Sequence, residues 1–347
     1  METAVSLIIP IYNAAQYLPA CLERVTAQTL FARTQVLLID DGSTDASPRI
    51  CDEYAAKHAN VEVLHRENAG VSAARNAGLE RAFGKYVAFV DADDLPHPQM
   101  LELLFDAAER TGAQMTFCAF RFGTADGEGT QSYGFPQNEP FERSKLAGYM
   151  LWHEDGNAIW NKLFLRAPIE ENRIRMTVGR KLGEDREFIL HCLAFCDTLC
   201  YVPQALYDYR YVESGAVRRP RDDYAERLTT QYASDSAQFL RLGLNSDSLK
   251  KGSAYLLCQR TAATIDLVCQ TFSGRKRLRM LRRLYTDKSL HGTLRAVLPD
   301  AGKTIDFYTR TLMRLVLLRL VCASRLWMHM MTIHMKLYEK RPGGDGA

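Results

Sequence analysis

The sequence lacks several features that would place it in a special class of protein. No run of about 18 uncharged apolar residues is present, so no membrane-spanning helix is expected. Met1-Glu2-Thr3 contains no basic segment and residues 6–10 resemble a strand, which argues against a secretory signal peptide. The net charge of +3 is too small to indicate a nucleic-acid partner by itself. We therefore expect a cytoplasmic protein that does not bind nucleic acid.

The nine cysteines are scattered and do not form the framework of a small secreted domain. Cys192, Cys196 and Cys200 recur at every fourth position, but no partner ligands for a metal accompany them. We interpret the cysteines as reduced core residues, with a metal site as the alternative. Reduced thiols favour the cytosol.

The length of 347 residues predicts one large domain and a smaller second unit. Apolar runs alternate with segments of helical spacing near the N-terminus. The predicted strands are residues 4–11, 34–39, 61–65 and 86–90, and the predicted helices are 15–29, 47–58 and 72–82. This alternation indicates βαβ units and a mainly parallel, Rossmann-like sheet flanked by helices. Ligands of such sheets bind beyond the carboxyl ends of the strands.

The later chain changes from mixed to helical character. The pattern predicts a helix from 98 to about 111, a strand at 114–122, a loop at 123–140, a helix at 183–195 and a strand within 199–211. A polar, basic stretch at 218–223 indicates a boundary. From Tyr224 onward we expect helices and no further strand.

Three carboxylates follow the predicted strand that ends at Val90, in the motif Asp91-Ala92-Asp93-Asp94. Like charges this close repel unless a cation lies among them. Oxygen ligands suit Mg²⁺ or Mn²⁺, which usually take one or two carboxylates plus substrate phosphates. The motif thus predicts a metal that neutralises a leaving diphosphate. The alternative is an acidic turn on a solvated surface.

A second acidic turn, Asp40-Asp41, closes another predicted strand, so both turns are expected to face one crevice. A carboxylate in that position can accept hydrogen bonds from a base or ribose. The simpler alternative is that Ser43 or Asp45 only caps the next helix.

Four motifs follow one another along the chain: VSLIIPIYN at 5–13, DDGSTD at 40–45, GVSAARNAG at 70–78 and FVDADD at 89–94. In this order they resemble family 2 glycosyltransferases with the GT-A fold. The similarity covers roughly residues 4–215 and continues through IWNKLF at 159–164, GED at 183–185 and YDYR at 207–210. These later segments look like the bacterial branch that builds capsular polysaccharides and exopolysaccharides.

The resemblance implies roles for the residues that match the nucleotide and metal sites. It places Pro10, Ile11, Tyr12 and Asn13 along the nucleoside pocket, Asp41 at the base (usually uracil), and Arg75 and Asn76 beside the nucleotide, with Asn76 beginning a helix. In similar enzymes the residue matching Asp93 is the direct metal ligand. The resemblance places Ala92 at the nucleotide sugar, and Asp91 there orients the ribose or a metal-bound water and is a second candidate metal ligand. Asp94 has an auxiliary position.

The resemblance also implies a general base at Asp185. An acceptor hydroxyl is a poor nucleophile until it loses its proton, and positioned proton transfer contributes about 10²- to 10⁴-fold to rate. The alternative is that Glu184 and Asp185 only place negative charge at a helix N-terminus. Trp160 and Lys162 are expected to border the donor sugar or acceptor, although Trp160 alone would suit a core.

Arg210 and Arg218 are candidates for contacts with the diphosphate, because a guanidinium pairs well with phosphate oxygens. A solvated surface position is the alternative for Arg218.

The resemblance implies an inverting hexosyl- or N-acetylhexosaminyl-transferase that uses a divalent metal. The expected donor is a nucleoside diphosphate sugar, with UDP as the nucleotide, and the expected acceptor is a hydroxyl of a lipid-linked or polysaccharide molecule. One alternative is a sugar nucleotidyltransferase, although no glycine-rich phosphate loop follows Ile11. Another is a non-catalytic scaffold that binds nucleotide sugars.

We predict a catalytic domain at residues 1–217, a helical region at 218–340 and a disordered tail at 341–347. A basic cluster lies at 275–283, and an apolar segment with interspersed cations at 309–338 is expected to form one helix. Such a helix can lie on a membrane surface or pack in a dimer. We expect peripheral attachment to the cytoplasmic face of the inner membrane.

Overall fold

The computed structural model describes residues 2–124, 127–180, 183–210, 223–302, 304–323, 327 and 330. The chain forms two compact units, Met1–Met150 with Glu154–Glu213, and Leu151–His153 with Ser214–Ala347. Arg218, the predicted boundary at 217/218 and the predicted tail at 341–347 lie outside the described residues.

The first unit is built on one sheet. Its strands are β1 (Val5–Ile11), β2 (Thr34–Asp40), β3 (Val61–His65), β4 (Tyr86–Phe89), β5 (Leu95–Pro96), β6 (Met115–Thr124), β7 (Gly127–Gln131), β8 (Pro140–Glu142), β9 (Lys162–Leu165) and β10 (Thr198–Tyr209). Their order is β3-β2-β1-β4-β9-β6-β10-β5, with β7 paired to β6 and β8 to β10. The predicted parallel pairing is confirmed for β3-β2-β1-β4.

Helices connect these strands as the alternating pattern predicts. They are α1 (Leu18–Thr26), α2 (Ser47–Lys57), α3 (Val71–Arg81), α4 (Met100–Thr111), α5 (Arg143–Met150), α6 (Arg166–Glu171) and α7 (Glu184–Leu193). The central strand β1 is buried on both faces, with Val5, Leu7 and Ile8 fully inaccessible. A parallel strand covered by helices on both sides requires this continuous apolar run.

The sheet is mixed rather than purely parallel. Strand β9 runs antiparallel between β4 and β6, pairing Leu165 with Tyr86 and Phe164 with Met115. The predicted loop at 123–140 also differs from the structure, because β7 pairs antiparallel with β6 and β8 begins at Pro140. The whole is a mixed, mostly parallel α/β sheet flanked by helices.

Within the described residues from Tyr224 onward, the second unit contains helices joined by turns and no strand, as predicted. Its helices are α8 (Tyr224–Arg241), α9 (Ser246–Thr271), α10 (Gly274–Thr286), α11 (Lys288–Ala301) and α12 (Phe307–Leu317). They share one core that includes Leu257, Leu281, Leu294 and Leu312. Among the described residues, no helix combines the length and apolar character that crossing a bilayer demands.

The prediction of one continuous helix at 309–338 is wrong within its described part. Helix α12 ends at Leu317, and Arg319 adopts a left-handed backbone with φ of 58°. The Leu320 amide then bonds back to the Leu315 carbonyl, which closes the helix end. The residues from 331 to 338 lie outside the described part.

Candidate active site

The predicted acidic turns lie at one edge of the sheet. The parallel registers pair Ile11 with Asp40 and Ile8 with Phe89, so β1, β2 and β4 end on the same side. The segments that follow these strands carry Tyr12, Asp41 and the acidic turn 91–94. The fold therefore gathers three motifs that are far apart in sequence.

The segment after β1 is tied to the turn after β2. Asn13 has a left-handed backbone with φ of 50°, and its side-chain oxygen accepts a hydrogen bond from the Thr44 amide at 2.7 Å. Its own amide donates to Ser43 Oγ at 3.0 Å. Pro10 and Ile11 lie inward of this connection, whereas the Tyr12 ring is 55% exposed. Tyr12 and Asn13 are thus the members of this group with exposed side chains, and the Asn13 oxygen is already bonded to Thr44.

Asp45 serves both neighbouring segments. Its carboxylate accepts from the Ala15 amide at 3.0 Å and from the Ser47 amide in the first turn of α2 at 2.9 Å. The alternative that this turn caps the next helix therefore holds for Asp45, whereas Asp41 bonds a different loop.

Asp41 is buried and organises the loop before α3. Its carboxylate accepts from the Gly70 amide at 2.7 Å and from the Ala69 amide at 3.1 Å, and Arg66 Nε lies 3.3 Å away. Gly70 has φ of 91°, a conformation that favours glycine. A nucleotide base bound here would share the carboxylate with these donors, so its role at the base stays a prediction.

Arg75 joins the acidic turn to the predicted base. Its guanidinium donates to Asp185 Oδ1 at 2.5 Å and to Asp91 Oδ1 at 2.8 Å. The Arg75 side chain is 4% exposed, and both carboxylate side chains remain 26% exposed. Arg75 and Asp185 are 110 positions apart in sequence. The structure thus brings the start of α7 to the end of β4.

The environment of Asp185 suits a group that exchanges a proton near neutral pH. Burial raises the pKa of the Asp185 carboxyl to about 7, outweighing the opposing effect of Arg75. Asp185 also lies in the first turn of α7, so its negative charge is favourable against the helix dipole. Its Oδ2 atom receives no hydrogen bond from the described residues, and its role as the general base stays a prediction.

Comparison with known proteins assigns the family. A model of glycosyl transferase family 2 matches residues 6–173. The putative glycosyltransferase EpsH of Bacillus subtilis (strain 168) is 33% identical over 245 residues, which cover 68% of this chain and 70% of EpsH. The chain belongs to glycosyltransferase family 2. The uncharacterized glycosyltransferase YibD of Escherichia coli (strain K12) is 34% identical over 62% of this chain and 63% of YibD.

Solved structures share the fold of this glycosyltransferase. S. aureus TarS 1–349, in complex with UDP-GlcNAc, superposes with a TM-score of 0.72 at 18% identity, over 95% of this chain and 92% of that chain. The mannosyltransferase PcManGT from Pyrobaculum calidifontis, in complex with GDP-Man and Mn²⁺, has a TM-score of 0.51 at 17% identity, over 88% and 87%. The GT-A expectation is confirmed at the level of the fold.

The acidic turn of the glycosyltransferase fits a divalent cation that arrives with a diphosphate. Burial, and then the charge of Asp91, raise the pKa of Asp93. No side chain of the described residues bonds to the Asp93 carboxylate. Within the described chain no three ligating side chains gather, but Mg²⁺ and Mn²⁺ commonly take only one or two carboxylates. Asp93 and Asp91 are therefore the residues that would hold the metal.

Asp94 has a structural position in the same turn. It is 1% exposed, and it accepts hydrogen bonds from Tyr207 Oη at 2.9 Å and from the Arg210 amide at 2.8 Å. Burial, and then the charge of Asp91, raise the pKa of Asp94. These bonds fix the end of β10 beside the turn. The charge of Arg210 opposes the rise in the pKa of Asp93, which places Arg210 near this turn. Its contact with a diphosphate stays a prediction.

Trp160 packs against the aromatic side chains at the end of β10. Its ring stacks on Tyr207 with a centroid distance of 4.3 Å and on Tyr209 at 5.4 Å. The side chain is 7% exposed, so the core alternative describes its position. Ala92 is likewise buried. Contact of either side chain with the donor sugar stays a prediction.

Lys162 and Asn76 are already bonded to the protein. Lys162 Nζ donates to the Ala158 carbonyl at 2.5 Å and to Asn161 Oδ1 at 3.0 Å, and burial lowers the pKa of Lys162 to about 7. Asn76 does not begin a helix as predicted, because α3 begins at Val71. The Asn76 side-chain nitrogen donates to the Met176 carbonyl, and the Asn76 side-chain oxygen accepts from the Met176 backbone amide. A ligand contact for Lys162 or Asn76 stays a prediction.

Two residues of this region escaped sequence reasoning. Tyr207 lies in the motif YDYR at 207–210, yet that motif gives no sign that Tyr207 bonds Asp94 and receives a hydrogen bond from the Asp91 amide at 3.2 Å. Arg66 lies outside all the motifs, yet it pairs with Asp41. A buried tyrosine near a strand end gives no local signal of its partner, since that partner lies 113 positions away.

Proposed function

We propose that the chain is an inverting glycosyltransferase that moves a sugar from a UDP-sugar to an acceptor hydroxyl, with Asp185 as the general base. The observation that carries the proposal is the Arg75 bridge, which holds Asp185 and Asp91 on one guanidinium. A metal and diphosphate site at the end of β4 would then lie beside a proton acceptor. This juxtaposition is what direct displacement at a sugar carbon requires.

The uridine assignment rests on Asp41 and Tyr12. The resemblance to family 2 places the base, usually uracil, at the carboxylate that matches Asp41. An exposed aromatic ring at Tyr12 offers a flat apolar surface beside that position. The solved structures with this fold hold UDP-GlcNAc in TarS and GDP-Man in PcManGT. The experiments should therefore compare GDP-sugars with UDP-sugars as donors.

The reaction needs one proton acceptor and one leaving group. The acceptor oxygen attacks the anomeric carbon from the face opposite the diphosphate and gives its proton to Asp185 Oδ2. The bond between the anomeric carbon and the diphosphate oxygen breaks, and both electrons leave with the nucleoside diphosphate. One displacement inverts the configuration, and no covalent enzyme intermediate is needed.

Positive charge at the leaving group comes from two sources in this proposal. Mn²⁺ or Mg²⁺ held by Asp93 and Asp91 would neutralise the diphosphate as charge builds on it. Arg210 would add a guanidinium from the end of β10, which Asp94 holds beside the acidic turn. Arg75 keeps Asp185 oriented during the reaction.

The acceptor is proposed to be lipid-linked or a polysaccharide, met at the cytoplasmic surface of a membrane. The chain has eleven basic and three acidic residues between 274 and 317, which supports attraction to an anionic surface. The alternative to membrane binding is that the helices of this unit pack against a second copy of the chain in a homodimer. Family membership sets aside the alternatives of a sugar nucleotidyltransferase and of a non-catalytic scaffold.

The first experiment measures nucleoside diphosphate release from UDP- and GDP-sugars with Mn²⁺. Asp93→Ala should abolish metal-dependent donor binding, because the direct ligand is lost. Asp185→Asn should bind donor normally but lose transfer by about 10²-fold or more, because no base remains. Asp197→Asn, at a carboxylate that is 86% exposed, is the matched control and should behave as wild type. Full transfer by Asp185→Asn would show that the base lies elsewhere.

A further inference from the structure

A surface cavity of about 460 Å³ lies within the helical unit, between α11 and α12. Three arginines line it, Arg295, Arg310 and Arg314, together with the apolar side chains of Leu298, Pro299 and Leu317. Among the residues that the structure describes, no acidic side chain lines the cavity. Cationic and apolar groups therefore meet in one small concave surface.

The three guanidinium groups differ in how they are held. Arg310 is half-buried and donates to the Gly302 and Ile305 carbonyls, which fixes it against the turn between the helices. Arg295 and Arg314 are exposed, and neither forms an ion pair or hydrogen bond within the part of the chain that the structure describes. The cavity thus has one positioned cation and two available ones.

Helix α12 also carries cationic and apolar side chains together on its outer face. At 100° per residue, Phe307, Arg310 and Arg314 fall on one side, opposite the buried Leu312 and Val316. Phe307 is 67% exposed, and Leu318, just beyond the helix, is 66% exposed. Large apolar side chains therefore flank the arginines in contact with solvent.

We propose that this face of α11 and α12 docks on a bilayer and that the cavity binds the phosphate of an anionic phospholipid. Guanidinium groups pair with phosphate oxygens in a fork, and the aliphatic and aromatic side chains beside them suit the boundary with the acyl chains. A soluble polyanion would satisfy the arginines but leave Phe307 and Leu318 in water. The inference rests on the membrane association proposed above and names the surface responsible.

The test uses the full chain and sedimentation with phosphatidylcholine vesicles, with or without phosphatidylglycerol. Wild type should bind only the vesicles that contain phosphatidylglycerol. The double variant Arg295→Gln/Arg314→Gln should partition about 25-fold less, from roughly a fivefold contribution per arginine. Phe307→Ser should weaken binding without changing the net charge. Truncation at Thr309 is a poorer test, because it removes Leu312, Met313 and Val316 from the core.

The matched control is Arg24→Gln/Arg81→Gln, which removes the same charge from exposed arginines on α1 and α3. It should bind vesicles almost as wild type does. Equal losses in the two double variants would overturn the cavity, because net charge alone would explain them. Absence of wild-type binding to anionic vesicles would overturn membrane docking altogether, and binding to a soluble polyphosphate instead would assign the face to polyanions.

Donor turnover separates this inference from the proposed enzymatic function. UDP release from a UDP-sugar in detergent-free solution should be unchanged in Arg295→Gln/Arg314→Gln, since those residues lie in the helical unit. Loss of vesicle binding with intact turnover supports the docking surface. Wild type that binds vesicles but releases no nucleoside diphosphate would contradict the proposed reaction and leave the docking surface supported.

Discussion

At the residue scale, Arg75 balances two carboxylates with one positive charge. Asp91 and Asp185 each bond to one arm of its guanidinium, and Asp93 adds a third negative charge nearby. The cluster therefore keeps excess negative charge when the site holds no cation. A divalent metal held by Asp93 and Asp91 would balance this excess, and Arg75 would keep Asp185 in place. Arg75 is a positioning residue in this account.

The pKa of Asp185 sets the expected pH dependence of the enzyme. Only the carboxylate form can accept a proton, and burial raises the pKa of Asp185 to about 7. The kcat/KM should therefore fall about tenfold for each pH unit below 7 and level off above it. Initial rates of UDP release between mildly acidic and alkaline pH measure this. A flat profile through pH 7 would contradict the assignment of Asp185 as the base.

Replacement of Arg75 should move that profile. Arg75→Gln removes the charge that lowers the pKa of Asp185, so the acidic limb should shift upward by about 1–3 pH units. Arg75→Lys keeps a positive charge and should shift the limb less. A purely structural role would lower the rate at every pH and leave the inflection in place, and that result would refute the positioning role.

At the element scale, hydrogen bonds join the end of β10 to the acidic turn that follows β4. Tyr207 Oη donates to Asp94 and accepts from the Asp91 amide, and Trp160 stacks against the same ring. Asp94 also accepts from the Arg210 amide. These bonds join two strands that are not neighbours in the sheet, and they fix the position of Arg210 relative to the acidic turn.

Removal of the Tyr207 hydroxyl tests these hydrogen bonds. Tyr207→Phe should lower the free energy of unfolding by about 1–3 kcal/mol, because a buried hydrogen bond to a carboxylate is lost. It should also weaken Mn²⁺-dependent donor binding, since the turn that carries Asp93 loses support. Urea unfolding and calorimetric titration measure the two effects. Tyr54→Phe, which loses only a 3.5 Å contact to the Pro19 carbonyl, is the control and should change neither.

The sequence predicts the buried elements well and the polar ones poorly. Strands β1, β2 and β4 carry apolar runs that periodicity detects directly. Strand β7 reads GEGTQ, with no apolar residue, so only its backbone bonds to β6 reveal it. Helix α12 ends where Arg319 adopts a left-handed backbone, although the apolar pattern continues beyond that residue. Backbone conformation and cross-strand bonding therefore account for the missed features.

At the scale of the whole molecule, the motifs identify the family and the fold but not the contacts among the motifs. The order of the motifs predicts that Asp41 and Asp93 share one sheet edge. The contact between Arg75 and Asp185 depends on the path of the chain through β9 and α7, which no local pattern describes. The catalytic and helical units are built on separate elements, so the proposed reaction and the proposed docking surface can be tested separately.

A crystal structure of the Asp185→Asn variant with UDP and Mn²⁺ tests the central claim most directly. The account predicts an anomalous manganese peak at Asp93, with the diphosphate on the metal, the uracil beside Asp41 and Tyr12, and the side chain at position 185 facing the same cavity. Manganese or UDP bound away from Asp93, or a side chain at position 185 that faces a different surface, would contradict it.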